Sequence, residues 1–200
     1  MNQASLHKLI AQKEKDAEKL FELRLATNLT LIQKQFFSLY PEEHHEKDFQ
    51  KLLRLLPKLF AERPDHLKKQ DLERINTANW YQSEKLMGMQ LYVEHFNKDI
   101  KGLQEKIPYF KKLGINFLHL MPITTRPKDE SDGGYAVNNY LEVDKKYGSK
   151  EDLLELTKAF RKNGIYLMLD FVVNHTSDEF SWAKKAKKGD KKYQGYYYTY

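Results

Sequence analysis

Residues 165–173 read Ile-Tyr-Leu-Met-Leu-Asp-Phe-Val-Val, an almost wholly apolar run that is typical of a parallel β-strand buried on both faces. Two further strand-like runs precede it, at Met89–Phe96 and at Ile115–Pro122. Helical spacing fills the segments between the strands, and Gly114 and Gly164 are placed to end those helices. Alternating strands and helices predict βαβ units and a parallel sheet.

The two connections between the predicted strands differ in length. The shorter one carries a helix with apolar positions at Leu103, Ile107, Phe110 and Leu113. The longer one ends in a helix that a capping box of Ser149 and Asp152 begins. Its extra length lies between Pro122 and Ser149, after a strand and before a helix. This is the carboxyl edge of the predicted sheet, where α/β folds build their active sites.

The chain before Gly88 has a different character, because it contains no glycine and few β-branched residues. Apolar residues recur there at helical spacing in three stripes, each of which predicts the buried side of an amphipathic helix. The stripes are Leu6, Ile10, Ala17, Leu20 and Phe21; Leu29, Ile32, Phe36 and Leu39; and Phe49, Leu52, Leu53, Leu56, Leu59 and Phe60. Pro41 and Pro64 are placed to separate the helices. The sequence therefore predicts a helical domain at 1–87 and an α/β domain at 88–200.

Composition excludes several functional classes. The 200 residues include no cysteine, which rules out disulfides, thiolate metal sites and cysteine nucleophiles in this chain. No apolar run reaches the roughly 18 residues of a membrane helix, and charges near the N-terminus leave no signal-peptide core. We therefore expect a cytoplasmic location and no membrane partner. The net charge of +6 is concentrated in the lysines of 184–192, which favours a solvated turn over a nucleic-acid partner.

Two polar clusters fall on the predicted carboxyl edge of the sheet. The long loop contributes Asp132 and, after two glycines, Tyr135, while the third strand contributes Asp170, Asn174 and His175. Carboxylates, amides and imidazoles hydrogen-bond hydroxyl groups, and a tyrosine face packs against the C–H face of a sugar ring. This combination favours a carbohydrate site. Simpler alternatives are turn chemistry for Asp132, a structural carboxylate at Asp170 and a helix cap at His175.

The segment Asp170–His175, Asp-Phe-Val-Val-Asn-His, resembles the first signature region of the α-amylase family (glycoside hydrolase family 13), which ends the third strand of a (β/α)8 barrel. Segments Leu118–Pro122, Ser131–Val137 and Asn174–Ser177 closely resemble the amylosucrase branch, and the likeness runs from Gln90 to Tyr200. An all-helical domain before the barrel is also an amylosucrase trait. The resemblance implies an α-helical N-terminal domain followed by the first three βα units of a (β/α)8 TIM barrel.

The resemblance also implies a role for each candidate residue. Asp132 would lie at the bottom of a pocket for a glucosyl ring, Tyr135 would stack on the ring, and His175 would hydrogen-bond hydroxyls near the scissile bond. Asp170 would be a structural and orienting carboxylate. Asn174 matches a position that helps bind calcium in many α-amylases, but amylosucrases generally work without the ion. We therefore expect no metal and no cofactor.

In the family, the nucleophile and the acid/base come from the fourth and fifth strands, and a full barrel needs about 250 residues. Only three strands fit before Tyr200, so we expect no catalytic carboxylate here and an N-terminal part of a longer enzyme. The implied reaction cleaves sucrose with retention and transfers glucose to an α-glucan. The alternatives are a sucrose hydrolase or exo-α-glucosidase, a non-catalytic fragment that binds nucleic acid through the lysines of 184–192 and the nearby tyrosines, or a truncated, inactive member of the family.

Overall fold

The computed structural model of the chain describes residues 3–77, 79–128 and 132–198. The chain divides into two compact units between Tyr81 and Gln82. The boundary expected from the sequence, after Met87, lies a little further along the chain.

The first unit is helical. Its elements are α1 (Gln3–Leu39), α2 (Glu42–Ala61) and α3 (Asp65–Glu73), followed by a 3-10 turn at Arg74–Asn76. A second 3-10 turn, Trp80–Gln82, includes the boundary between the two units. Pro41 and Pro64 stand directly before α2 and α3, as predicted. The first two apolar stripes lie on the single helix α1, because no proline or glycine interrupts it. Helices α1 and α2 pack through stacked rings of Phe21 and Phe60, whose centroids are 4.5 Å apart. No helix within the described ranges has the length and apolar character that a membrane crossing needs.

The second unit is built on a three-stranded parallel sheet, as predicted. Its strands are β1 (Gly88–Leu91), β2 (Phe117–Leu120) and β5 (Tyr166–Leu169), hydrogen-bonded in the order β1–β2–β5. The long loop after β2 contains an antiparallel pair that the sequence analysis missed, β3 (Thr124–Thr125) and β4 (Asn139–Val143). The helices are α4 (Val93–Asn97), α5 (Ile100–Glu105), α6 (Ile107–Lys112), α7 (Lys150–Lys162), α8 (Ser181–Lys187) and α9 (Lys191–Gln194).

One face of the sheet forms the core of this unit. Leu118 and Leu120 of β2 are fully buried, together with Leu103 of α5 and with Leu156 and Phe160 of α7. Burying each such side chain stabilises the fold by about 1.5–3 kcal/mol. The helices on this face therefore hold the strands in place and leave the opposite face for other contacts.

The sequence predicts the wrong end for the first strand. The strand expected over 89–96 stops at Leu91, and α4 follows it, with the Phe96 N–H donating to the Tyr92 carbonyl at 3.1 Å. The apolar residues of this segment pack from the helix instead. Val93 is buried in the core, and the ring centroids of Phe96 and Phe110 are 5.4 Å apart.

The helix expected over 103–113 is two helices, α5 and α6, joined at Lys106. Pro108 has no N–H to donate to the Gln104 carbonyl, so the helical ladder is interrupted there. The predicted capping box is confirmed: Ser149 Oγ accepts from the Asp152 N–H at 3.2 Å, and Asp152 Oδ2 accepts from the Ser149 N–H at 2.9 Å.

The prediction that the third strand is buried on both faces is wrong for the described part of the chain. Met168 is 44% exposed and Leu169 is 39% exposed, and Phe171 and Val173 beyond the strand are more open still. In the described sheet, β5 pairs with β2 along one edge only. The described neighbours of β5 therefore leave part of its apolar surface exposed.

Replacing Gly102 by alanine should destabilise the second unit by about 1–3 kcal/mol, since its Cβ would overlap the Asn97 carbonyl oxygen. Both backbone polar groups of Gly102 are held: its N–H donates to Asp99 Oδ1 at 2.7 Å, and its carbonyl accepts from Asn97 Nδ2 at 2.6 Å. Urea unfolding of the chain measures the loss. Gly195→Ala is the matched control, because a Cβ there would lie 3.5 Å from the Lys192 carbonyl oxygen. Equal midpoints for the two variants would contradict the close packing.

Candidate functional site

The face of the sheet opposite the core carries two polar side chains and one methionine. Gln90, His119 and Met168 are aligned across the three strands by their pairing register. Because side chains alternate along a strand, Tyr92 and Asp170 continue this face just beyond the carboxyl ends of β1 and β5. The Asp170 N–H donates to the Leu120 carbonyl at 3.2 Å, which extends the sheet ladder to this position.

The carboxylate of Asp170 contacts two other side chains of the site. Its Oδ1 lies 3.0 Å from His119 Nε2, and its Oδ2 accepts a hydrogen bond of 2.8 Å from the hydroxyl of Tyr135, in the loop 132–138. The carboxylate is 22% exposed and the imidazole 20%, so both are partly shielded from water. The bond to Asp170 raises the pKa of Tyr135 to about 12, because the carboxylate favours the protonated phenol.

Further hydrogen bonds fasten the loop 132–138 and the start of β4 to the segment that follows β5. The Tyr140 hydroxyl contacts two backbone carbonyls of that segment, at 2.7 Å for Val172 and 3.1 Å for His175. The Ser177 N–H donates to the Val137 carbonyl at 3.0 Å. The loop and the end of the third strand therefore form one surface, as the sequence predicts.

A tight turn presents Asp132 on this surface. Its Oδ1 accepts from the Ala136 N–H at 2.9 Å, so the turn chemistry considered for this residue is present. Gly133 has φ +78 and Gly134 has φ +94, and a Cβ on Gly133 would lie 2.8 Å from the Tyr92 hydroxyl oxygen. The turn thus requires glycine for its conformation and for its contact with Tyr92. Asp132 is exposed, and its Oδ2 has no hydrogen-bond partner among the described residues.

Asn174 and His175 lie at the exposed end of the segment after β5. Asn174 Nδ2 is 3.4 Å from His175 Nδ1, and the described residues offer the imidazole no other hydrogen bond. The described part of the chain also contains no cluster of three or more His, Cys, Asp or Glu side chains that could hold a metal ion. The roles of these two residues and the absence of a metal remain predictions.

Tyr92 and His119 belong to the site but were missed from the sequence. His119 lies inside a predicted strand between the core residues Leu118 and Leu120, and simple alternation places it on the opposite face. Tyr92 follows Gln90 by two positions, so the same rule applies to it. The available signal was therefore a polar or aromatic residue on the non-core side of a short strand.

A family profile described as alpha amylase, catalytic domain, matches residues 39–200. The oligo-1,6-glucosidase of Heyndrickxia coagulans is 37% identical over 101 residues, which are 50% of this chain and 18% of that protein. The 4-alpha-glucanotransferase of Thermotoga neapolitana is 37% identical over 119 residues, which are 56% of this chain and 26% of that protein.

Solved structures give the same picture. The isomaltulose synthase of Protaminobacter rubrum aligns with a TM-score of 0.52 at 34% identity, covering 57% of this chain and 22% of that one. A MutB mutant in complex with the substrate sucrose aligns with a TM-score of 0.52 at 36% identity, covering 57% and 22%. The chain thus spans only about a fifth to a quarter of the length of these relatives.

Titration of Tyr135 tests its hydrogen bond to Asp170. In a chain carrying ¹³C-labelled tyrosine, we expect its ring signal to titrate near pH 12, against 10.0 for an ordinary tyrosine. Tyr135→Phe identifies the signal, and Asp170→Asn should move its midpoint back towards the ordinary value. Since the folded pKa is the higher one, the hydrogen bond stabilises the fold fully below about pH 10 and loses this effect as the pH rises through 12.

Asp178→Asn is the control for that titration, because Asp178 is an exposed carboxylate that pairs with Lys187 at 2.9 Å. The Tyr135 midpoint should not change in this variant. An ordinary midpoint for Tyr135 in the unaltered chain would mean that the bond to Asp170 is absent in solution.

Proposed function

The chain belongs to the alpha-amylase catalytic-domain family, and we propose that it forms part of the glucosyl-binding pocket of a retaining enzyme that acts on sucrose. The family assignment makes the sheet and helices of the second unit part of a (β/α)8 barrel. In this proposal β1, β2 and β5 are the first three strands of the barrel, and their polar face points to the barrel interior at the substrate end.

The observation that carries the proposal is the hydrogen bond of 2.8 Å between Tyr135 and Asp170 at the carboxyl edge of the sheet. A phenol held by its hydroxyl has a fixed long axis, so its ring loses less side-chain entropy when its face stacks on a sugar ring. The neighbouring Asp132 has one oxygen in the turn and one that is available to accept from a sugar hydroxyl. A rigid aromatic face beside an available carboxylate oxygen suits a glucosyl ring.

Each site residue then has a role in the proposal. Asp132 accepts hydrogen bonds from hydroxyls at the closed end of the pocket, and Tyr135 stacks on the ring. His175 donates to hydroxyls near the scissile bond, where positive charge develops on the sugar in the transition state. Asp170 orients Tyr135 and His119.

Asp170 does not serve as the nucleophile in this proposal, because both of its oxygens already contact side chains. Retaining enzymes need a carboxylate nucleophile and a carboxylic acid/base about 5–5.5 Å apart. We propose that both come from sequence outside these 200 residues. In the first step the nucleophile would bond to the anomeric carbon of the glucosyl ring, the bond from that carbon to the fructosyl oxygen would break, and the acid would protonate that oxygen.

We propose an amylosucrase-like acceptor, so that glucose passes to a growing α-glucan. The resemblance of Ser131–Val137 to that branch and the helical first unit support this choice. The hydrolytic alternative, a sucrose hydrolase or exo-α-glucosidase, is supported by the relatives that are named oligo-1,6-glucosidase. Only the fate of the glucose distinguishes the two reactions.

Product analysis of the complete gene product with sucrose tests the proposal. Fructose released together with glucan supports the transferase, and fructose released with an equal amount of glucose supports the hydrolase. Isomaltose cleaved while sucrose stays intact would support the glucosidase and contradict sucrose as the substrate. No release from either sugar would contradict the proposed function.

Asp132→Asn should reduce kcat/KM for the sugar about 10- to 150-fold, which corresponds to the loss of about 1.5–3 kcal/mol from a charged hydrogen bond. Asparagine keeps an Oδ1 that can accept from the Ala136 N–H, so the turn should remain intact. Asp178→Asn, at an exposed carboxylate paired with Lys187, is the matched control and should leave kcat/KM unchanged. Full activity in Asp132→Asn would remove this residue from the pocket.

A further inference from the structure

A partly buried group of charges lies close to the turn that presents Asp132 and Tyr135. We call it the Arg126 cluster, and it consists of Glu94, Arg126, Asp144 and Lys146 with the Tyr147 ring. The Arg126 side chain is 11% exposed, and Tyr147 is 1% exposed. The residues come from α4, the segment after β3 and the segment after β4, so the cluster joins three parts of the second unit.

The two cations hold the two carboxylates of the cluster. Glu94 Oε1 lies 2.7 Å from Lys146 Nζ and 3.5 Å from Arg126 Nη2. Arg126 Nε lies 4.0 Å from Asp144 Oδ2. Burial raises the pKa of Asp144, and the positive charge of Arg126 opposes that rise. Removing the guanidinium would therefore leave two partly buried carboxylates with less compensation.

Arg126 also reaches the glycine turn itself. A Cβ on Gly134 would lie 3.7 Å from Arg126 Nη1 and 3.1 Å from the Pro122 carbonyl oxygen. On the other side of the turn, Gly133 abuts the Tyr92 hydroxyl, and Tyr92 directly precedes the helix that carries Glu94. Arg126 and Tyr92 thus lie close to the turn on its two sides, and the ion pair of Arg126 with Glu94 links Arg126 to the helix that Tyr92 precedes.

We propose that Arg126 is a positioning residue for the sugar pocket. Its guanidinium fixes the start of α4 and the segment after β4 against the glycine turn. Tyr135 then meets Asp170, and Asp132 faces the sugar. Arg126 itself does not touch the substrate. The part that concerns the sugar rests on the proposed function, whereas the effect on the turn can be measured without it.

The first experiment follows the Tyr135 ring signal in the full chain carrying ¹³C-labelled tyrosine. Arg126→Met should release the turn, and the pKa of Tyr135 should fall from about 12 towards 10.0. Arg126→Lys, which keeps the charge without the planar fork, should give an intermediate midpoint. An unchanged midpoint in folded Arg126→Met would overturn the proposal.

Two further variants separate positioning from general stability. Arg63→Met breaks an ion pair of Arg63 with Asp71 (2.8 and 3.0 Å) in the first unit and should leave the Tyr135 midpoint unchanged. If Arg126→Met does not fold, the triple variant Arg126→Met, Glu94→Gln, Asp144→Asn removes the uncompensated charges as well. The proposal requires a lowered Tyr135 midpoint in the triple variant, and a wild-type midpoint there overturns it.

The second experiment measures sugar kinetics in the complete gene product. Arg126→Met should raise KM about 10-fold with a smaller change in kcat, since the pocket wall is displaced while the reacting groups are not. Arg63→Met should leave KM unchanged. An unchanged KM in an active Arg126→Met enzyme would overturn the proposal. If the unaltered protein turns over no sugar, the proposed function fails, and the Tyr135 titration alone then decides the role of Arg126.

Discussion

The hydrogen bond from the Tyr135 hydroxyl to Asp170 links the long loop to the end of the third sheet strand. The rest of the site depends on this contact, because it ties the loop to a carboxylate that the sheet register positions. His119, on the neighbouring strand β2, contacts the other oxygen of the Asp170 carboxylate. Parallel pairing of β2 and β5 places both residues on the face opposite the core. The sheet therefore positions Asp170 and His119, and the loop adds Tyr135 to them.

The sheet could be predicted from sequence where the signals are local. Apolar runs, the capping box of Ser149 and Asp152, and Gly164 after α7 all lie within a few residues of what they specify. The pair β3–β4 could not, because a strand of two residues has no periodicity and exists only through its partner. The end of β1 was missed for a related reason. The spacing of Val93 and Phe96 fits a strand or a short helix, and packing against Phe110 decides between them.

The candidate site was predictable to a similar extent. The meeting of Tyr135 with Asp170 followed from placing two polar segments at one sheet edge. Alternation alone places Tyr92 and His119 on the face opposite the core, but it does not show their partners. Tyr92 lies against Gly133 and His119 contacts Asp170, and both partners come from distant parts of the chain. Arg126 looks like an ordinary loop cation in the sequence, and only the fold shows it beside Gly134 with Glu94 and Asp144. Long-range electrostatic partners leave no local pattern to recognise.

In the proposed function, the hydrogen-bonded pair Tyr135 and Asp170 forms a wall of a glucosyl pocket. A crystal structure of the complete gene product with bound sucrose would show the position of the ring. We expect the glucosyl ring to lie on the face of Tyr135, with Asp132 Oδ2 accepting from a ring hydroxyl and the Tyr135 hydroxyl still bound to Asp170. A glucosyl ring bound without contact to Tyr135 or Asp132 would remove both residues from the sugar pocket.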